Sequence, residues 1–96
     1  MPSLSQNARL KLADDVTFQS LGPGEGTVVL SLNSGYLYTC NETTDAFLRR
    51  LDGRRQLAAV IDLLFGEFQV PREVLSVDMT ELAAKLLEEK LIVEEP

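Results

Sequence analysis

The apolar pattern of this chain changes period at Asn41. In "LSLNSGYLYTC" (Leu30–Cys40), apolar and polar residues alternate on either side of an Asn-Ser-Gly turn. After Asn41 the apolar residues recur every third or fourth position almost to the end. A repeat of two makes a strand with distinct faces, and a repeat near 3.6 makes an amphipathic helix. The order predicts an α+β fold: a three-stranded antiparallel sheet followed by three helices.

The strands are expected at Val16–Leu21, Thr27–Leu32 and Tyr36–Cys40, where β-branched and aromatic residues concentrate. The Gly- and Pro-punctuated Gly22–Gly26 forms the first loop. Asn33-Ser34-Gly35 fits a three-residue hairpin loop with Gly35 in the left-handed position. That register sets Leu32 opposite Tyr36, Leu30 opposite Tyr38 and Val28 opposite Cys40. These six residues then share one face, with Val29, Ser31, Leu37 and Thr39 on the other. Residues 1–15 read as a partly flexible, frayed start, with room for a short strand around Leu10 and Leu12.

Asn41 can cap the first helix, with Glu42 and Asp45 in the turn where the dipole favours acids. That helix should end near Leu51, before Asp52-Gly53, and turn Phe47, Leu48 and Leu51 inward. The second covers about Gln56–Phe68, with Leu57, Val60, Ile61, Leu64, Phe65 and Phe68 on its apolar face. The third starts at Val70-Pro71 and runs to about Lys90, with room for a break at Ser76-Val77. Leu75, Met79, Leu82, Leu86 and Leu87 form its apolar stripe.

Ninety-six residues suit one domain, residues 1–96, with a modest core and little room for a deep catalytic cavity. The formal net charge of −6 disfavours nucleic acid and anionic membrane surfaces, which attract Lys and Arg. The single cysteine, Cys40, allows no internal disulfide and suits a reducing cytoplasm. "MPSLSQNARL" lacks the features of a signal peptide, and no segment has the apolar length of a membrane span.

Catalysis finds no support in the composition. Histidine is absent, which removes the commonest general base and metal ligand. One cysteine makes neither a Cys-His pair nor a zinc site. Glu88, Glu89, Glu94 and Glu95 read as a solvated surface and tail. Gly22, Gly24 and Gly26 precede a strand, whereas a phosphate loop opens a helix. No catalytic residue, metal or cofactor is expected. A winged helix-turn-helix that binds DNA is the rival reading, since helices two and three are joined by a short turn. The third helix would then read the groove, yet Glu73, Asp78, Glu81 and Glu88 face outward there and repel phosphate.

In a three-strand meander, Tyr36–Cys40 is an edge, with no Pro or Lys to discourage a further strand. Outward amides alternate along an edge, so one of Leu37 and Thr39 is expected to offer its N–H. Either the third helix or a dimer partner covers this edge, or it is a docking edge for an extended peptide. Composition leaves both open.

Read in order, Gly35, Asn41, Asp52-Gly53, Val70-Pro71, Val77-Asp78 and the spaced Leu82 and Leu86 resemble the PqqD-like family. Its members are leader-peptide recognition elements of ribosomally made, modified peptides. The resemblance covers roughly residues 16–93. Two departures stand: Cys40 replaces the usual Leu before the junction Asn, and Phe47-Leu48 reverses the usual aliphatic-aromatic order.

The resemblance implies a winged-helix-like, non-catalytic binding module. A precursor's leader peptide would pair antiparallel with the third strand and lie against the third helix. The implied peptide-binding residues are Tyr36, Leu37, Tyr38 and Thr39 of the strand, and Val74, Val77, Asp78, Glu81, Leu82 and Lys85 of the helix. Leu82 doubles as a core candidate. A chain of this size looks most like the free-standing recognition subunit of lasso peptide biosynthesis, which serves a separate leader peptidase and cyclase. The alternative is the peptide carrier of pyrroloquinoline quinone synthesis, which serves a radical enzyme. Either would be a cytoplasmic monomer or dimer.

Overall fold

The computed structural model describes residues 4–23 and 25–95. Residues 1–3 of the expected flexible start and Gly24 of the first loop lie outside them. The elements run β1 (Arg9–Leu12), β2 (Val16–Ser20), β3 (Thr27–Ser31), β4 (Leu37–Cys40), α1 (Glu42–Arg50), α2 (Leu57–Phe65), α3 (Arg72–Glu88) and β5 (Ile92–Glu95). The expected antiparallel sheet forms, in the order β2-β3-β4, and the three helices follow it.

A second sheet joins the two ends of the chain, β1 against β5. The segment read as frayed is thus held from Arg9 onward, and Leu10 is buried, as are Leu91 and Ile92 at the other end. The start also closes the second helix. Leu57 and Ala58 donate their amides to the carbonyls of Ala8 (2.7 Å) and Gln6 (3.0 Å). These replace the side-chain cap that Gln56 does not provide.

The hairpin register differs by one residue from the expected one. Thr27 pairs with Cys40, Val28 with Thr39, Val29 with Tyr38 and Leu30 with Leu37. The Ser31 amide donates to the Tyr36 carbonyl at 3.0 Å, so the loop is Leu32–Gly35, four residues rather than three. Gly35 does take a positive φ of 75°. One step of register moves every β3 side chain to the opposite face. Thr27, Val29 and Ser31 are therefore inside with Tyr38 and Cys40, while Val28, Leu30, Leu37 and Thr39 share the outer face. Leu32, expected within a strand, is exposed in the loop.

The two inward hydroxyls explain why this register is tolerated. Thr27 Oγ1 donates to Asp45 Oδ1 at 2.9 Å, and Ser31 Oγ to Asp15 Oδ2 at 3.3 Å. A buried hydroxyl costs little when it has a partner.

The helices follow their caps. Asn41 Oδ1 accepts from the Thr44 amide at 2.9 Å, and Asp52 accepts from the amides of Arg54 (2.9 Å) and Arg55 (2.8 Å) beyond α1. Phe47 and Leu48 face the core with Leu57, Val60, Ile61, Leu64, Leu75, Met79 and Leu86. Phe65, expected inside, is exposed, while Phe68 packs against the core after α2 has ended. The third helix has no break at Ser76-Val77. Those residues are only mildly poor helix formers, and the buried Leu75 and Met79 on either side hold the turn.

Candidate peptide-binding edge

β2 and β4 are the two edges of the three-stranded sheet. Among the described residues only β3 pairs with β4, and the ladder determines which β4 amides remain available. Because Ser31 and Tyr36 are hydrogen-bonded, alternation makes Val29–Tyr38 and Thr27–Cys40 hydrogen-bonded pairs too. Leu30–Leu37 and Val28–Thr39 are then the intervening pairs, whose β4 members turn their backbone groups away from β3. The alternation has a period of two, and Leu37 and Thr39 are two residues apart. Both amides therefore face out, rather than the one expected.

The sheet-edge side chains divide by face. Leu37 (63% exposed) and Thr39 point to the outer face, and Tyr36 (66%) and Tyr38 to the side of the helices. The two tyrosine rings meet edge to face, with centroids 6.4 Å apart. The Tyr38 hydroxyl donates to Glu89 Oε2 at 3.4 Å. Loss of solvent around Tyr38, and then the negative charge of Glu89, push its phenol above the ordinary value. Burial, and then the charge of Asp45, push the Cys40 thiol up. Cys40 is thereby kept as a protonated, small apolar group.

On α3, Asp78, Glu81, Leu82 and Lys85 continue at helical spacing toward Glu89, the residue that meets Tyr38. Val74 (49% exposed) and Val77 (57%) lie beside this row and offer apolar surface. Leu82 is half buried and packs against the core. Among the described residues, no ion pair or hydrogen bond engages the side chains of Asp78, Glu81 or Lys85. A hydrogen bond joins β4 to the end of this row, from Tyr38 to Glu89.

Sequence reasoning placed Glu89 on a plain solvated surface. One more helical step from Lys85 would have reached it. It also missed the groove at the start of β4, about 770 Å³, where Tyr36, Tyr38 and Ser34 face Leu87, Glu89 and Val93. This groove depends on β5, whose strand character the sequence did not disclose. Among the described residues, no helix is long and apolar enough to cross a membrane. No group of three or more His, Cys, Asp or Glu among them could hold a metal.

The sequence profile of the family described as "Coenzyme PQQ synthesis protein D (PqqD)" matches residues 26–92. No curated protein matches the chain. Two solved structures share its fold. One is described as "Lasso peptide synthetase B1 complexed with the leader peptide". It is 24% identical with a TM-score of 0.76, covering 90% of this chain and 99% of that one. The other, "TbiB1 in Complex with the TbiA(beta) Leader Peptide", is 18% identical with a TM-score of 0.74, covering 85% and 93%.

Proposed function

Because this chain belongs to the PqqD family, we propose that it is a non-catalytic module that captures the leader segment of a ribosomally made precursor peptide. The leader adds as an antiparallel strand to β4 and lies against α3. The bound leader is then delivered to separate maturation enzymes, a leader peptidase and a cyclase of lasso peptide biosynthesis.

The free edge of β4 carries this reading. Two outward-facing amides, at Leu37 and Thr39, can be satisfied by one extended segment. Val74, Val77, Asp78, Glu81, Leu82 and Lys85 would select its side chains. The two solved proteins of similar fold are each described as a leader-peptide complex, which supports the same occupant here.

Binding should fall between micromolar and nanomolar, roughly −8 to −12 kcal/mol. Calorimetry with the leader of a precursor reading frame adjacent to the gene tests it. Absence of heat at high micromolar peptide contradicts the proposal.

A carrier role in pyrroloquinoline quinone synthesis is the second reading, favoured by the description of the matching family. The neighbouring genes separate the two: a cyclase and cysteine-type peptidase, or a radical enzyme.

A further inference from the structure

Strand addition to β4 would fix the direction of the peptide, and direction determines where the peptide goes beyond the paired stretch. An antiparallel partner enters beside Cys40 and leaves beside Tyr36. Its side chain opposite Tyr38 would stand on the same face as Tyr38, toward α3, and so would the one two residues later, opposite Tyr36. Leaving the edge there, the peptide enters the groove at the start of β4.

The groove is open to a long side chain, and its lining is unequal in charge. Asp15, Glu88, Glu89 and Glu94 contribute carboxylates, against the single ammonium of Lys90. Asp15 is occupied by Ser31 and by the Asn33 amide, and Glu89 by Tyr38. Glu88 and Glu94 make no ion pair or side-chain hydrogen bond among the described residues. The Tyr36 ring, largely exposed and edge-on to Tyr38, supplies a π face at the mouth, where a cation is also favoured.

We infer that the groove is a specificity subsite for a Lys or Arg of the bound peptide, at the position opposite Tyr36 on the groove-facing side of the added strand. Three observations converge on it: continuity with the edge of β4, an aromatic wall, and a predominantly acidic lining. The position opposite Tyr38 takes a smaller side chain, because Tyr38 and Glu89 already close that part of the groove. The inference rests on the strand-addition reading above.

A displayed library of short randomised peptides, selected against the full chain, provides the test. Tight binders should carry Lys or Arg at one fixed position. A synthetic binder and its Lys→Gln form are then titrated into the wild type and into a Glu88→Gln, Glu94→Gln double variant. Losing the cation should weaken binding to the wild type about tenfold, the usual scale for a charge-assisted contact. Binding to the double variant should change little, because the two losses are coupled. Binders that need the β4 edge but show no basic preference, or no coupling, overturn the subsite alone. Binders equally tight on a Thr39→Pro variant, or none at all, overturn strand addition and the subsite with it.

Discussion

Tyr38 on β4 donates its hydroxyl to Glu89 at the end of α3, over 3.4 Å. The free strand and the third helix are thereby joined at one end of the row that also carries Lys85, Leu82 and Asp78. The bond is long and exposed, and exposed bonds of this kind contribute little net stability. Tyr38→Phe should therefore leave the midpoint of chemical denaturation nearly unchanged.

Asp45 joins the sheet to the first helix. It accepts from Thr27 Oγ1 at 2.9 Å and from Arg49 Nε at 2.8 Å, and Arg49 lies over the Phe18 ring at 5.4 Å. The Arg49 hydrogen bond, helped by Thr27, holds the Asp45 carboxyl below its ordinary value. A depressed carboxylate favours the folded state above its unfolded pKa, and that contribution disappears as pH falls through the folded value. Wild-type stability should therefore drop below about pH 4, and Asp45→Asn should flatten that part of the curve. Thermal unfolding across acidic pH checks it.

Thr27 tests the register. It is buried with its hydroxyl on Asp45. Thr27→Val keeps the shape but removes the donor, and should cost about 1–2 kcal/mol, as for an interrupted buried hydrogen bond. In the register with Val28 and Leu30 inside, Thr27 would face outward and the same change would be neutral.

These residues also mark how far the sequence could be read. The period change at Asn41, the Asn41 cap and the Gly35 turn were legible because each is a local effect. The register was not, because Val28, Val29 and Leu30 are apolar in succession and either face could go in. The decision rests on hydroxyl partners, Asp15 and Asp45, that are near only in the fold. The β1-β5 ribbon was hidden for a similar reason: its strands lie at opposite ends of the chain. Tyr36–Thr39 stood out as an edge, whereas the groove required β5.

Asp78 is exposed on α3 with no partner among the described residues. It can accept hydrogen bonds from a peptide side chain or pair with a basic one. Asp78→Ala should weaken leader binding about tenfold or more, with the melting temperature nearly unchanged. A variant that unfolds while its folded fraction binds normally would make Asp78 a structural residue.

In the proposed complex, β4 accepts a strand through the outward backbone groups of Leu37 and Thr39. Proline removes such a donor, and is tolerated on an edge where that donor meets solvent. The most direct measurement is calorimetry of Leu37→Pro and Thr39→Pro with the leader peptide, alongside their circular dichroism and melting curves. Both variants should stay folded and lose at least about a hundredfold in affinity, since each gives up ladder bonding and clashes with an incoming strand. Two folded variants that bind like the wild type would contradict strand addition to β4.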